Sequence, residues 1–194
     1  MLRWLATAAI GLLLVLDVVL PSTPLGRRGR EAAARADVPA AVTRVGDTMP
    51  DIALETVSGG TMRPGDFAGR RAVLFFYSKD MTPGCTTEAT DFSALKPRFD
   101  KAGVVLLGIS KDSPDRHRTF MEKHALAVDL ASDAAEGGLS DALGIWTEKQ
   151  LYGRRFMGMV RTTYLLGPDG RIERVWDRVK VRGHAEEVLA AAAG

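Results

Sequence analysis

Cysteine is almost absent from this chain, since Cys85 is the only one among its 194 residues. A single cysteine cannot form a disulfide within the chain, and it excludes cysteine-rich zinc sites and the C-x-x-C motif of dithiol oxidoreductases. Any disulfide must therefore join the protein to another molecule. An excess of one charge is also missing, because 26 Lys and Arg residues face 24 Asp and Glu residues. With no basic stripe interleaved with aromatic residues, nucleic-acid binding is not expected.

Long apolar runs are equally scarce, and the main one covers residues 4–20, interrupted by Asp17. As a helix, this run would span about 25 Å against a hydrocarbon core of about 30 Å. Three interpretations stay open: an uncleaved membrane anchor, a cleaved export signal, or an inert extension. The best small-x-small cleavage motif, at residues 34–36, lies well beyond the apolar run, which disfavours clean cleavage.

The charges around this run bear on its orientation. Four arginines follow it within residues 27–35, whereas Arg3 precedes it. The positive-inside rule then keeps the remainder of the chain in the cytoplasm, with export to the periplasm as the alternative. We expect residues 1–41 to be an anchor or signal segment plus a linker, and residues 42–194 to form one domain.

The most informative stretch is residues 72–77, six apolar residues that read as a buried strand. The Pro-Gly pair at residues 83–84 ends that segment, and a helical pattern begins just beyond it. Its apolar face is marked by Phe92, Leu95 and Phe99. Cys85 is therefore predicted in the first turn of a helix.

This position has chemical consequences for Cys85. The first amide N–H groups of a helix lack internal partners, and the helix dipole is positive there, so a thiolate is favoured over a thiol. The competing interpretation is a small buried apolar residue, which is the usual role of a lone cysteine. The combination of strand, turn and helix favours a nucleophile.

The remaining pattern alternates strands and helices. Strands are predicted at 52–56, 104–109, 128–131, 161–166 and 171–176, and helices at 114–124, 138–144 and 183–192. Pro97 predicts a kink or break in the helix that carries Cys85. We expect residues 151–159 to be loop and core. The order indicates an α/β fold in which helices flank a central mixed β-sheet.

The loop Thr82-Pro83-Gly84-Cys85-Thr86 after an apolar strand resembles the active-site loop of peroxiredoxins, in particular the bacterioferritin-comigratory, or Q-type, branch. The resemblance extends over residues 45–188. It implies a thioredoxin-like fold and a thiol-dependent peroxidase that reduces hydrogen peroxide and organic hydroperoxides through a cysteine sulfenic acid. It implies no cofactor, and the chain has no flavin, nicotinamide or haem motif.

The resemblance assigns roles to five residues. Cys85 would attack the peroxide, Thr82 would bring a hydroxyl to the same pocket, and the amides of Gly84 and Cys85 would donate to the peroxide. Arg161 would supply positive charge through a guanidinium that can reach the sulfur and the peroxide together. Glu88 would orient Arg161.

Two departures from the Q-type pattern matter. Thr90 stands where many members carry a resolving cysteine, and Ser78 stands where the family has a proline. The first departure implies a one-cysteine cycle in which an external thiol, from thioredoxin or from glutaredoxin and glutathione, reduces the enzyme. We expect a monomer or weak dimer.

Other functions stay open at this point. A thioredoxin-like redox sensor or adaptor with little turnover is the main alternative, and catalytic turnover with an added thiol separates the two. A membrane-tethered thiol-disulfide protein or metallochaperone is disfavoured by the missing second cysteine. His117, His124 and His184 are scattered, the first two on an expected helix surface, and we expect no metal site.

Overall fold

The computed structural model describes residues 43–151 and 153–194. The strands in these residues are β1 (Leu54–Thr56), β2 (Thr61–Met62), β3 (Ala72–Phe76), β4 (Val105–Ser110), β5 (Asp129–Ser132), β6 (Trp146–Leu151), β7 (Arg154–Met159), β8 (Thr162–Leu166) and β9 (Ile172–Trp176). The helices are α1 (Pro83–Lys101), α2 (Pro114–His124), α3 (Leu139–Ala142) and α4 (His184–Ala193), with a 3₁₀ turn at Pro64–Phe67.

Seven of these strands form one sheet in the order β2-β1-β5-β4-β3-β8-β9. The three central strands β3, β4 and β5 run parallel, and the flanking pairs are antiparallel. The predicted α/β architecture with a central mixed sheet and flanking helices is confirmed.

Strand β3 lies at the centre and is buried on both faces. Its alternate side chains point to opposite sides, so Val73 and Phe75 enter one apolar cluster while Leu74 and Phe76 enter another. The first cluster also holds buried residues of α1, α2 and α4, among them Phe92, Phe99, Phe120 and Val188. The continuous apolar run at residues 72–77 therefore correctly predicts a strand that is buried on both faces.

Helix α1 starts as its sequence predicts. Thr82 is the N-cap with extended backbone angles, and Pro83 occupies the first helical position. Of the kink or break predicted at Pro97, the break does not occur, because the helix continues to Lys101. Pro97 removes one N–H donor but lies on the exposed side near the helix end, and Phe99 just beyond it is fully buried. Tertiary packing therefore outweighs the local cost of the proline.

The prediction of loop for residues 151–159 is also wrong, whereas the prediction of core holds at Met159, which is fully buried. Strands β6 and β7 pair antiparallel as a two-stranded hairpin separate from the main sheet. Phe156 and Met157 are 46% and 50% exposed, so neither belongs to the core. Most described side chains of the hairpin are exposed or half-buried, so it lacks the apolar alternation that identifies a strand in a sequence.

The predicted segments at the N-terminus, residues 1–41 and the apolar run within them, lie outside the described residues. Within the part of the chain that is described, no helix has both the length and the apolar character needed to cross a membrane.

Candidate active site

The site forms at the carboxyl end of β3. Strand β8 pairs antiparallel with β3, and the register joins Phe76 to Thr162. Arg161, one residue before β8, therefore lies where the chain leaves β3 for the loop that carries Cys85. Sheet pairing thus brings together two residues that are 76 positions apart in the chain.

Cys85 contacts Arg161 directly. The guanidinium Nη2 lies 3.2 Å from Cys85 Sγ, and Nη1 of the same group donates to Glu88 Oε2. Cys85 is 2% exposed and Glu88 is 1% exposed. The planar guanidinium thereby holds the sulfur with one nitrogen and the carboxylate with another, which a lysine ammonium cannot do in the same way.

Burial affects the pKa values of Glu88 and Arg161. It raises the pKa of Glu88 to about 7, although Arg161 acts in the opposite direction. Burial also acts to lower the pKa of Arg161, but Glu88 and Cys85 outweigh that effect and the pKa is raised. Arg161 is therefore a permanent cation beside the sulfur.

The start of α1 supplies further donors. The first backbone hydrogen bond is donated by Thr86 to the carbonyl of Thr82, at 2.8 Å. Pro83 has no N–H, so the amides of Gly84 and Cys85 are the donors that precede the helical ladder. A Cβ built on Gly84 would lie 3.6 Å from Arg161 Nη2, so Gly84 lies next to the guanidinium.

Thr82 has a defined orientation as well. Its hydroxyl donates to the carbonyl of Lys79 at 3.0 Å, so the lone pairs on its oxygen are free to accept from a bound molecule. The structure thus groups Cys85, Arg161 and Glu88 by direct contact, with Thr82 and Gly84 in the same loop and first turn.

Comparison with known proteins identifies the family. The model of the AhpC/TSA family matches residues 45–175. The peroxiredoxin Bcp of Xanthomonas campestris is 47% identical over 137 residues, covering 70% of this chain and 85% of that protein. This chain belongs to the AhpC/TSA family of peroxiredoxins. The peroxiredoxin Bcp of Bacillus subtilis is 41% identical to it over 145 residues, covering 75% of this chain and 92% of that protein.

Solved structures agree with this peroxiredoxin assignment. A structure of the Xanthomonas campestris bacterioferritin comigratory protein, studied for alkyl peroxide reduction, superposes with a TM-score of 0.71 at 43% identity. The superposition covers 78% of this chain and 96% of the Xanthomonas campestris chain. The predicted thioredoxin-like fold is confirmed, and the protein is a thiol-dependent peroxidase, hence an oxidoreductase.

The two departures from the Q-type peroxiredoxin pattern have clear positions. Thr90 is exposed on α1, and its hydroxyl donates to the carbonyl of Thr86 at 2.8 Å. Ser78 is exposed, and its hydroxyl lies 3.5 Å from the carbonyl of Met159. Structures of the Xanthomonas campestris peroxiredoxin Q include serine variants at two different cysteines. The present chain, by contrast, contains a single cysteine, Cys85.

A cationic cavity adjoins the site on the side of the β6–β7 hairpin. It has a volume of about 390 Å³ and is lined by Lys149, Arg161 and Arg178, with Glu148 as its acidic residue. Burial, with the nearby charge of Arg161, lowers the pKa of Lys149. The approach to Arg161 from this side is therefore positively charged.

One prediction about the histidines is wrong. His117 was expected on the surface of its helix, but it is fully buried and contacts Asp80 and Tyr77. His117 is 37 positions from Asp80 and 40 from Tyr77, so no local pattern connects it to them. The one signal available in the sequence is an acidic residue, Asp80, three positions beyond the predicted buried strand.

Proposed function

We propose that Cys85 is the peroxidatic nucleophile of this peroxiredoxin. Its thiolate attacks one oxygen of a hydroperoxide, an S–O bond forms, and the O–O bond breaks. The departing oxygen leaves as hydroxide or alkoxide and takes a proton from solvent, so Cys85 becomes a sulfenic acid. The observation that carries this proposal is the 3.2 Å contact between Cys85 Sγ and Arg161 Nη2 at a helix N-terminus.

The proposed roles of the neighbouring residues follow from their atoms. Arg161 stabilises the thiolate and the charge that develops on the departing oxygen. Glu88 holds the guanidinium in that orientation through the bond to Nη1. The amides of Gly84 and Cys85 donate to a peroxide oxygen, and the hydroxyl oxygen of Thr82 accepts the peroxide O–H.

We propose that an external thiol completes the cycle. The thiol sulfur attacks the sulfenic sulfur, water leaves, and an intermolecular disulfide to Cys85 forms. A second thiol of the reductant then displaces Cys85. Support comes from Cys85 being the chain's sole cysteine and from Thr90 on α1, whose hydroxyl cannot form a disulfide. Thioredoxin, or glutaredoxin with glutathione, supplies such thiols.

Both hydrogen peroxide and organic hydroperoxides are proposed as substrates. The Xanthomonas campestris relative has been studied for alkyl peroxide reduction. The open cavity beside Arg161 leaves room for an alkyl group outside the reacting atoms.

Peroxide consumption by the full chain tests this proposal. We expect turnover with thioredoxin and its reductase, or with glutathione and glutaredoxin, and the faster system identifies the reductant. Cys85→Ser is the control, and its activity should equal that of buffer. Turnover by the serine variant would contradict the mechanism.

The sensor hypothesis is favoured by one observation, the absence of a resolving cysteine at Thr90. A sensor would be oxidised at Cys85 by one equivalent of peroxide and would not be recycled by either thiol system. Recycling by either system argues against a sensor with little turnover.

For the N-terminal part, we propose that residues 1–41 attach or export the protein and that residues 42–194 form the peroxiredoxin domain. The support is the apolar run at residues 4–20. Expression of the full chain, followed by alkaline carbonate extraction and N-terminal mass analysis, distinguishes the outcomes. Retention in the membrane pellet with an intact N-terminus indicates an anchor, a shortened N-terminus indicates export, and full extraction with an intact N-terminus contradicts both.

A further inference from the structure

A buried polar cluster lies directly before the Cys85 loop. Tyr77, Asp80 and His117 are each at most 1% exposed. The hydroxyl of Tyr77 lies 2.7 Å from Asp80 Oδ1, and His117 Nδ1 lies 2.8 Å from Asp80 Oδ2. Both carboxylate oxygens of Asp80 are thus bonded, one to Tyr77 just after β3 and the other to His117 in α2.

The direction of these bonds follows from donor and acceptor chemistry. Burial, and then the charge of Asp80, raises the pKa of Tyr77 well above its usual range, so its hydroxyl stays protonated and donates. Both oxygens of an ionised Asp80 can only accept, so His117 donates through its Nδ1–H. His117 Nε2 is buried and has no hydrogen-bond partner among the described residues, so the ring is held through Nδ1, by the bond to Asp80 and by a longer contact of 3.3 Å with the Tyr77 hydroxyl.

The cluster fixes the backbone at the entrance to the active-site loop. The amide of Asp80 donates to Asp112 Oδ2 at 2.7 Å, and the carbonyl of Asp80 lies 3.5 Å from Arg116 Nη2. Both partners belong to the segment that leads into and begins α2. Asp80 is therefore held against α2 through its side chain and through its backbone.

The next residue shows why this restraint is needed. Met81 has a φ of 65°, a left-handed conformation that costs free energy for a residue with a side chain. Such a conformation persists only where the surroundings impose it. Thr82, the N-cap of α1 and a member of the proposed peroxide site, follows immediately.

We propose that Tyr77, Asp80 and His117 form a positioning cluster that sets the left-handed turn at Met81 and thereby aims Thr82 and the first turn of α1 at the peroxide. None of the three touches the substrate. This inference rests on the proposed peroxidase mechanism, and it assigns the His117 Nδ1–H bond to Asp80 as the link between α2 and the active-site loop.

Two substitutions of His117 test the role of its Nδ1–H as the donor to Asp80. The amide nitrogen of asparagine can occupy the place of His117 Nδ1, whereas the amide of glutamine reaches the place of Nε2. His117→Asn therefore keeps the bond to Asp80, and His117→Gln loses it. Tyr77→Phe keeps the ring in the core and removes the second donor. The full chain is used throughout, with folding verified by circular dichroism.

Two rates are measured for each variant: oxidation of Cys85 by hydrogen peroxide and alkylation of Cys85 by iodoacetamide. Misplaced site geometry should lower the peroxide rate constant by about 10-fold or more in His117→Gln, because alignment governs this step. We expect alkylation to change by less than about threefold, since it needs the thiolate but no peroxide site. His117→Asn should stay near wild type, and Tyr77→Phe should fall between the two.

Val128→Ala is the matched control, because Val128 is a fully buried residue of the same apolar core as Tyr77 but takes no part in the hydrogen bonds that join Tyr77, Asp80 and His117. It should lower the melting temperature without changing the ratio of the two rates. The inference is overturned if His117→Gln keeps the wild-type ratio, or if Val128→Ala changes it equally. A wild-type protein that does not react with peroxide would instead refute the proposed function, so the two failures are distinguishable.

Discussion

At the scale of single residues, the site depends on how one guanidinium is shared. Arg161 holds Cys85 Sγ with Nη2 and Glu88 with Nη1, and its side chain is 17% exposed. Water therefore screens these interactions only weakly, and each is stronger than it would be on an open surface. We therefore expect the rate at which peroxide oxidises Cys85 to depend on both the charge and the planar shape of the Arg161 guanidinium.

Substitution of Arg161 tests that dependence. Arg161→Ala should lower the rate constant for Cys85 oxidation by hydrogen peroxide by about 10²–10³, the usual cost of losing a charge-stabilising donor. Arg161→Lys should recover only part of this loss, because an ammonium cannot bond the sulfur and Glu88 in the same fork-like geometry. Stopped-flow oxidation kinetics measure both variants. Wild-type kinetics in Arg161→Ala would remove the arginine from the mechanism.

Glu88 should make stability depend on pH. Its pKa is raised from 4.5 to about 7 by burial, so the folded protein binds this proton more tightly than the unfolded chain. The resulting stabilisation is complete below about pH 4.5 and is lost as the pH rises through about 7. A shift of this size corresponds to about 3 kcal/mol at 1.36 kcal/mol per unit.

Glu88→Gln, which cannot ionise, isolates this effect. The free energy of unfolding of the wild type, relative to the variant, should fall by up to about 3 kcal/mol between pH 4.5 and pH 7.5. Urea denaturation at several pH values measures the difference. Parallel curves for the two proteins would show that Glu88 titrates normally.

At the scale of elements, the sequence predicts the strands and helix ends that are determined by residues close to one another in the chain. The strand before Cys85 and the start of α1 follow from an apolar run and from the Pro-Gly pair at residues 83–84, which act within a few residues of each other. The β6–β7 hairpin was not predictable in this way, because exposed strands carry no apolar alternation. The burial of His117 is not predicted for a related reason, since its partner Asp80 lies in the loop between β3 and α1, 37 positions away in the chain.

The central sheet has little tolerance for added volume at one position. A Cβ built on Gly108 of β4 would lie 2.6 Å from Phe75 Cζ and 2.6 Å from Leu130 Cδ2. Gly108→Ala should therefore reduce the free energy of unfolding by about 1–3 kcal/mol, as overpacked cores do. Gly60→Ala is the control, because its Cβ would meet Thr56 Oγ1 at an ordinary 3.6 Å. Equal stability of both variants by urea denaturation would contradict the packing described here.

At the scale of the whole molecule, the fold brings distant residues to one end of the sheet. Cys85 and Arg161 could be named from the sequence because the family motif marks each of them separately. Their contact required the pairing of β3 with β8, a non-local event that propensity does not encode. The cluster of Tyr77, Asp80 and His117 has no comparable motif, so only the assembled fold reveals it.

The central claim is that Cys85 is the group that peroxide oxidises. The most direct test treats the full chain with one equivalent of hydrogen peroxide, traps the product with dimedone and locates the adduct by peptide mass spectrometry. We predict a single dimedone adduct on Cys85 and none in Cys85→Ser, with the adduct prevented when a reducing thiol is added before dimedone. Loss of peroxide at an equal rate in Cys85→Ser, with no adduct on Cys85 in the wild type, would contradict the account.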